Sequence, residues 1–124
     1  MSIAIGVGCR KGCSASAIEA LVRHALAGVP DAPLGLFTLA DKRGETGLTE
    51  AAERLGLDLI YLPRDALLAR AGDALTHSPL AERLLGVPSV AEASALAGAG
   101  PASVLIVPRI AEGGVTCAIA GPAP

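Results

Sequence analysis

A chain of 124 residues is long enough to form one domain and to bury roughly two-thirds of its unfolded surface without disulfides or metal. A formal net charge of -2, with one Phe, one Tyr and no Trp, leaves no basic field for nucleic acid or an anionic membrane and no aromatic platform for stacking bases. No apolar run approaches the ~18 residues of a membrane span, and no basic segment leads into a long apolar one as in a secretory signal; three cysteines without such a signal point to free thiols in the cytoplasm.

Ile3, Ile5 and Val7 alternate with small residues over Ser2 to Gly8, which predicts a short strand suited to helices on both faces. Ser16-Ala17-Ile18-Glu19 fits a capping box, and Ile18, Leu21, Val22, Ala25 and Leu26 continue at helical spacing to Gly28 and Pro30. Leu34 to Leu39 reads as a second strand, followed by a polar loop from Asp41 to Gly47. Leu48, Ala51, Ala52 and Leu55 mark a second amphipathic helix closed by Gly56. Leu57 to Leu62 is a third strand, and Pro63 opens a short helix to about Arg70.

The next section is helical in two pieces. Ser78-Pro79 starts one helix and Gly86 ends it. Ser89-Val90-Ala91-Glu92 is a second capping box, opening a helix to about Ala97. Ser103 to Val107 and Val115 to Ala120 are strands four and five, and Glu112-Gly113-Gly114 supplies turn chemistry for a hairpin. The expected fold is α/β and three-layered: a mainly parallel mixed sheet of about five strands, helices on both faces and a C-terminal hairpin. Residues 1–120 form the expected domain and residues 121–124 a frayed tail.

Ligands of open α/β sheets bind beyond the carboxyl ends of the strands. The first such end is Gly8-Cys9-Arg10-Lys11-Gly12-Cys13-Ser14. Its glycines allow positive φ, its amides and the following helix N-terminus favour an anion, and Arg10 and Lys11 add two charges. A strand-helix turn with solvated cations is the plainer reading. Gly6 to Gly12 reads G-x-G-x-x-x-G, one residue longer than the dinucleotide fingerprint, and no G-K-[ST] completes a phosphate loop. Asp41 at the second strand end keeps a ribose contact open. The Cys9-x-x-x-Cys13 spacing lacks a second ligand pair, so no metal is expected, and no cofactor. Cys13, near a helix N-terminus and two cations, is a candidate nucleophile. Asp41 and Glu45 share a loop, where either is a candidate base or a solvated carboxylate.

Four segments carry a resemblance to a known family. Gly6-Val7-Gly8-Cys9-Arg10-Lys11-Gly12-Cys13-Ser14 resembles the N-terminal signature of the CobE family, to which the C-terminal domain of CbiG also belongs. Asp41-Lys42-Arg43-Gly44-Glu45-Thr46-Gly47-Leu48 and Gly86-Val87-Pro88-Ser89-Val90-Ala91-Glu92-Ala93 are similar to two internal segments. Val104 to Pro108 and Gly113 to Ala120 resemble its closing hairpin, with Arg109 where the pattern has a lysine. The chain looks like the stand-alone form. The resemblance implies cobalamin biosynthesis, a carboxylate-rich precorrin as ligand and other enzymes of that pathway as partners. It implies a carrier or accessory role around ring contraction. CbiG resembles a hydrolase that opens a precorrin lactone and releases acetaldehyde, which leaves catalysis by Cys13, Asp41 or Glu45 as an alternative. Gly8 to Ser14, Asp41, Lys42 and Arg109 are the expected contacts for ligand carboxylates.

Overall fold

The computed structural model describes residues 2–124. Five strands, β1 (Ser2–Cys9), β2 (Ala32–Leu39), β3 (Leu59–Leu62), β4 (Ser103–Glu112) and β5 (Val115–Pro122), form one sheet in the order β3-β2-β1-β5-β4. β1 pairs parallel with β2, and β2 with β3. β5 lies antiparallel between β1 and β4. Four strands therefore run one way and β5 opposes them, so the sheet is mixed and mainly parallel, with the expected closing hairpin. The chain leaves β3 at one edge and returns at β4 on the other, which makes the end of β1 a topological switch point.

Helices cover both faces. Ile3, Ile5, Val7 and Cys9 of β1 pack with Ile18, Leu21, Val22 and Ala25 of α1 (Ala15–Leu26) and Leu48, Ala51 and Ala52 of α2 (Thr46–Leu55). On the other face lies α5 (Val90–Ala99), buried on every side over residues 90–96, as an apolar helix without a polar face must be. Gly6 is what lets it approach: a Cβ there would run into the Ala91 carbonyl oxygen and the Ala95 nitrogen. Two short helices, α3 (Arg64–Arg70) and α4 (Pro79–Leu85), complete the chain.

Several boundaries move for local reasons. Ser14, not Ser16, caps α1, its Oγ accepting from the Ala17 N–H at 3.1 Å. Cys9 belongs to β1 rather than to the loop after it, and β3 starts at Leu59 rather than Leu57. The polar segment after β2 holds a 3-10 turn, Ala40–Lys42, and α2 begins at Thr46. β4 runs on to Glu112, and β5 passes Ala120, pairing Gly121 with Val104 and Pro122 with Ser103. The second capping box is half made. Ser89 Oγ accepts from the Glu92 N–H at 3.2 Å, but the Glu92 carboxylate turns inward.

Candidate functional site

Beyond the carboxyl ends of β1 and β4 opens a cleft of about 590 Å³. One side is built from Gly8, Cys9, Arg10 and Lys11, with Lys42 from the turn after β2. Arg109, Glu112 and the Gly113-Gly114 turn form the hairpin side. The third wall is α4, through Leu80, Ala81, Leu84 and Leu85, with Ser89 and Val90 at the head of α5 below it. Six expected ligand contacts, Gly8, Cys9, Arg10, Lys11, Lys42 and Arg109, thus share one cavity. Gly12, Cys13, Ser14, Asp41 and Glu45 do not line it.

Those five residues hold the framework. The Gly12 N–H donates to Glu45 Oε1 at 2.7 Å, joining the first loop to the head of α2. Cys13 Sγ donates to the Gly114 carbonyl at 3.3 Å, and the Arg10 N–H donates to the same oxygen at 3.0 Å. The loop after β1 is thereby pinned to the hairpin turn. Ser14 caps α1, and Asp41 pairs with Arg64 at 2.6 Å. This changes the expected anion cradle. The amides of Arg10, Gly12 and Cys13 already have partners within the protein, and Ser14 fills the N-terminus of α1. Charge for a ligand comes from side chains instead. In this loop only Gly12 takes positive φ; Gly6 and Gly8 are needed for close packing, since a Cβ on Gly8 would press Thr116 Oγ1.

The cations at the cleft are Arg10, Lys11, Lys42 and Arg109, and among the described residues none forms a salt bridge. Glu112 is the single carboxylate on the lining. Cys9 lies at the base, its thiol pushed up to about 11 by burial and by the neighbouring Cys13, with Lys42 opposing. Such a thiol stays protonated at neutral pH and makes a poor nucleophile. Cys117, deep in the sheet, is pushed up to about 12 by burial alone. The described residues hold no cluster of three or more metal-ligating side chains and no helix long and apolar enough to cross a membrane.

Sequence reasoning missed the α4 wall and Glu92. The Ser78-Pro79 and Gly86 punctuation located α4, yet nothing local shows that Leu80 and Leu84 face the same cavity as Arg10. Glu92 is fully buried and accepts four hydrogen bonds. Oε1 takes the N–H groups of Leu75 and Thr76 at 2.9 and 2.8 Å. Oε2 takes the Thr76 hydroxyl at 3.0 Å and the Arg109 N–H at 2.9 Å. One carboxylate therefore ties α5 to the segment before α4 and to the strand that carries Arg109.

Comparison with known proteins agrees with this architecture. The family model described as cobalamin synthesis G C-terminus matches residues 3–120. A protein CobE from Sinorhizobium sp is 34% identical over 124 residues, covering 98% of this chain and 80% of that protein. The solved structure of CobE, described as a protein from the cobalamin (vitamin B12) biosynthetic pathway, is 31% identical with a TM-score of 0.87, covering 95% of this chain and 88% of that one. The cobalamin biosynthesis protein chiG from Agrobacterium tumefaciens is 39% identical with a TM-score of 0.77, covering 98% and 99%. With sequence, family model and fold in agreement over nearly the whole chain, the protein belongs to the cobalamin synthesis G C-terminus family, the CobE family of cobalamin biosynthesis.

Proposed function

We propose that the cleft binds a carboxylate-rich tetrapyrrole of the corrin pathway, a precorrin-type intermediate, and that the protein serves as its carrier or as an accessory factor around ring contraction. The observation that carries this reading is the set of four cations, Arg10, Lys11, Lys42 and Arg109, lining one cavity without salt-bridge partners among the described residues. Unpaired cations converging on one cleft favour anions with several carboxylates, and the two arginines can each grip one bidentately. The opposite wall is apolar, which suits a ligand whose charges surround a broad hydrocarbon face.

A lactone-hydrolase role assigned to Cys13, Asp41 or Glu45 finds less support. Each is engaged with another part of the framework, and none lines the cavity. A nucleotide role would use the loop amides, which are largely taken up internally. The test is a titration of the purified protein with late precorrins, followed by visible absorption and by assay for acetaldehyde. A saturable spectral shift without acetaldehyde supports a carrier. Acetaldehyde release would replace it with the hydrolase, and no shift with any precorrin would remove tetrapyrrole binding.

A further inference from the structure

Residues 78–86 lie as a flap along the cleft, and the buried Val87 and Pro88 follow it. Its two ends are joined, because the Ser78 N–H donates to the Pro88 carbonyl at 2.7 Å. The chain just before it is held by Glu92 through the N–H groups of Leu75 and Thr76. Between these anchors α4 has no fully buried residue, although Leu85 packs against the core beside the buried Val87. Its helical form comes from local chemistry: Ser78 Oγ caps the Ala81 N–H, Pro79 begins the first turn, and Gly86 at φ 77° ends the last. A helix so encoded keeps its shape with little packing beyond Leu85. Leu80 and Leu84 are i,i+4 neighbours on one face. They are 53% and 64% exposed, and both line the cavity that holds the four cations.

We propose that the 78–86 flap closes on the ligand, laying Leu80 and Leu84 against the apolar face of a flat polycarboxylate, with Glu92 and the buried Val87 fixed at its root. This rests on the tetrapyrrole reading of the cleft and adds the residues that would select for a macrocycle over a small polyanion. The cations recognise carboxylates of any size. The leucines gain only from a ligand that brings apolar area, and burying two half-hydrated leucines is a large enough gain to discriminate. The occupant favoured over a protein partner is this ligand, because charge and apolar wall converge on one cavity.

Two probes separate the contributions: uroporphyrin III, which carries carboxylates around a broad apolar ring, and mellitate, a compact ring of carboxylates. The Leu80→Ser/Leu84→Ser variant should bind uroporphyrin about tenfold more weakly or worse, while its affinity for mellitate stays that of the wild type. Retained mellitate binding shows that the variant is folded. Uroporphyrin should also slow hydrogen exchange over residues 79–85 of the wild-type protein. Wild-type binding of uroporphyrin with an unaffected variant, or with exchange unchanged over 79–85, would overturn the flap and leave the tetrapyrrole site standing. Self-association that disappears in the variant while uroporphyrin affinity is kept would assign the leucines to a second copy and also overturn it. Failure of the wild-type protein to bind uroporphyrin or any precorrin would remove the site itself and the flap with it.

Discussion

Glu92 accepts the backbone N–H of Arg109 at 2.9 Å, so a buried carboxylate on α5 sets the position of a cation at the mouth of the cleft. The same carboxylate also holds Leu75 and Thr76, ahead of α4. Glu92→Ala would leave three backbone donors and a hydroxyl without their acceptor. Each unsatisfied buried donor costs about 1–3 kcal/mol, so a loss on the order of 3 kcal/mol or more in unfolding free energy is expected. Glu92→Gln keeps the shape but presents an amide N–H₂ to donors, and should cost about 1–2 kcal/mol. Denaturant unfolding of the three proteins measures both. Wild-type stability in Glu92→Ala would contradict the hydrogen-bond assignment.

Two glycines close in sequence should respond very differently to alanine. At Gly6 a Cβ would collide with the backbone of α5, which cannot give way without leaving the sheet. Gly6→Ala should therefore cost several kcal/mol, on the order of 3 or more, or prevent folding, as severe overpacking does. Gly12→Ala meets open space and suffers only the strain of φ 80°, a cost of roughly 1 kcal/mol. Thermal melts of the two variants give the comparison, and equal effects would contradict the close helix-sheet contact.

Arg70 anchors the far end of α5. Its guanidinium, with the side chain 11% exposed, donates to the carbonyls of Leu96, Gly100 and Ser103 and to Ser103 Oγ. The Gly100 carbonyl stands at the C-cap of α5, where no donor within the helix reaches it. Arg70→Ala should destabilise by about 2–4 kcal/mol, and Arg70→Lys should recover only part, because a point charge cannot reproduce the fork of donors. Arg70 does not line the cleft. Ligand affinity measured well below the melting temperature should then remain that of the wild type.

The buried thiols make stability fall with alkali. Cys9 and Cys117 are pushed up to about 11 and about 12 from an ordinary 9.0. The folded protein holds these protons more tightly than the unfolded chain, which begins to release them near pH 9.0. Their contribution is therefore complete below that pH and is lost as pH rises through the folded values. The denaturant midpoint should drop from pH 9.0 towards about 11, with a shallower slope in Cys117→Ala. At neutral pH a maleimide should label Cys9 and Cys117 slowly in the native protein and all three cysteines after unfolding.

Much of this molecule is written in short-range chemistry. Ser78-Pro79 and Gly86 bound α4, Gly56 closes α2, and the Gly113-Gly114 turn joins the final strands, because caps and turns act over a few residues. Local signals mislead where two solutions compete. Ser14 and Ser16 both suit an N-cap, and the geometry of the incoming loop selects Ser14. Gly6 and Gly8 read only as small residues of the first strand, because their purpose, room for α5 and for Thr116, lies outside it. Glu92 matched a capping box, but four distant donors outcompete its own N-cap. Arg10, Lys11, Lys42 and Arg109 could be named as cations from the sequence; that they share one cavity with Leu80 and Leu84 depends on the sheet order.

The salt dependence of ligand binding tests the central claim most directly. Uroporphyrin III affinity should be measured by visible absorption across ionic strength for the wild-type protein and for Arg10→Ala/Lys11→Ala/Arg109→Ala. If side-chain cations at the cleft hold the ligand carboxylates, the wild type binds saturably and weakens steeply with added salt. The variant should bind at least about tenfold more weakly at low salt and show a shallower slope. Equal affinity and equal salt slope in the two proteins would contradict the account.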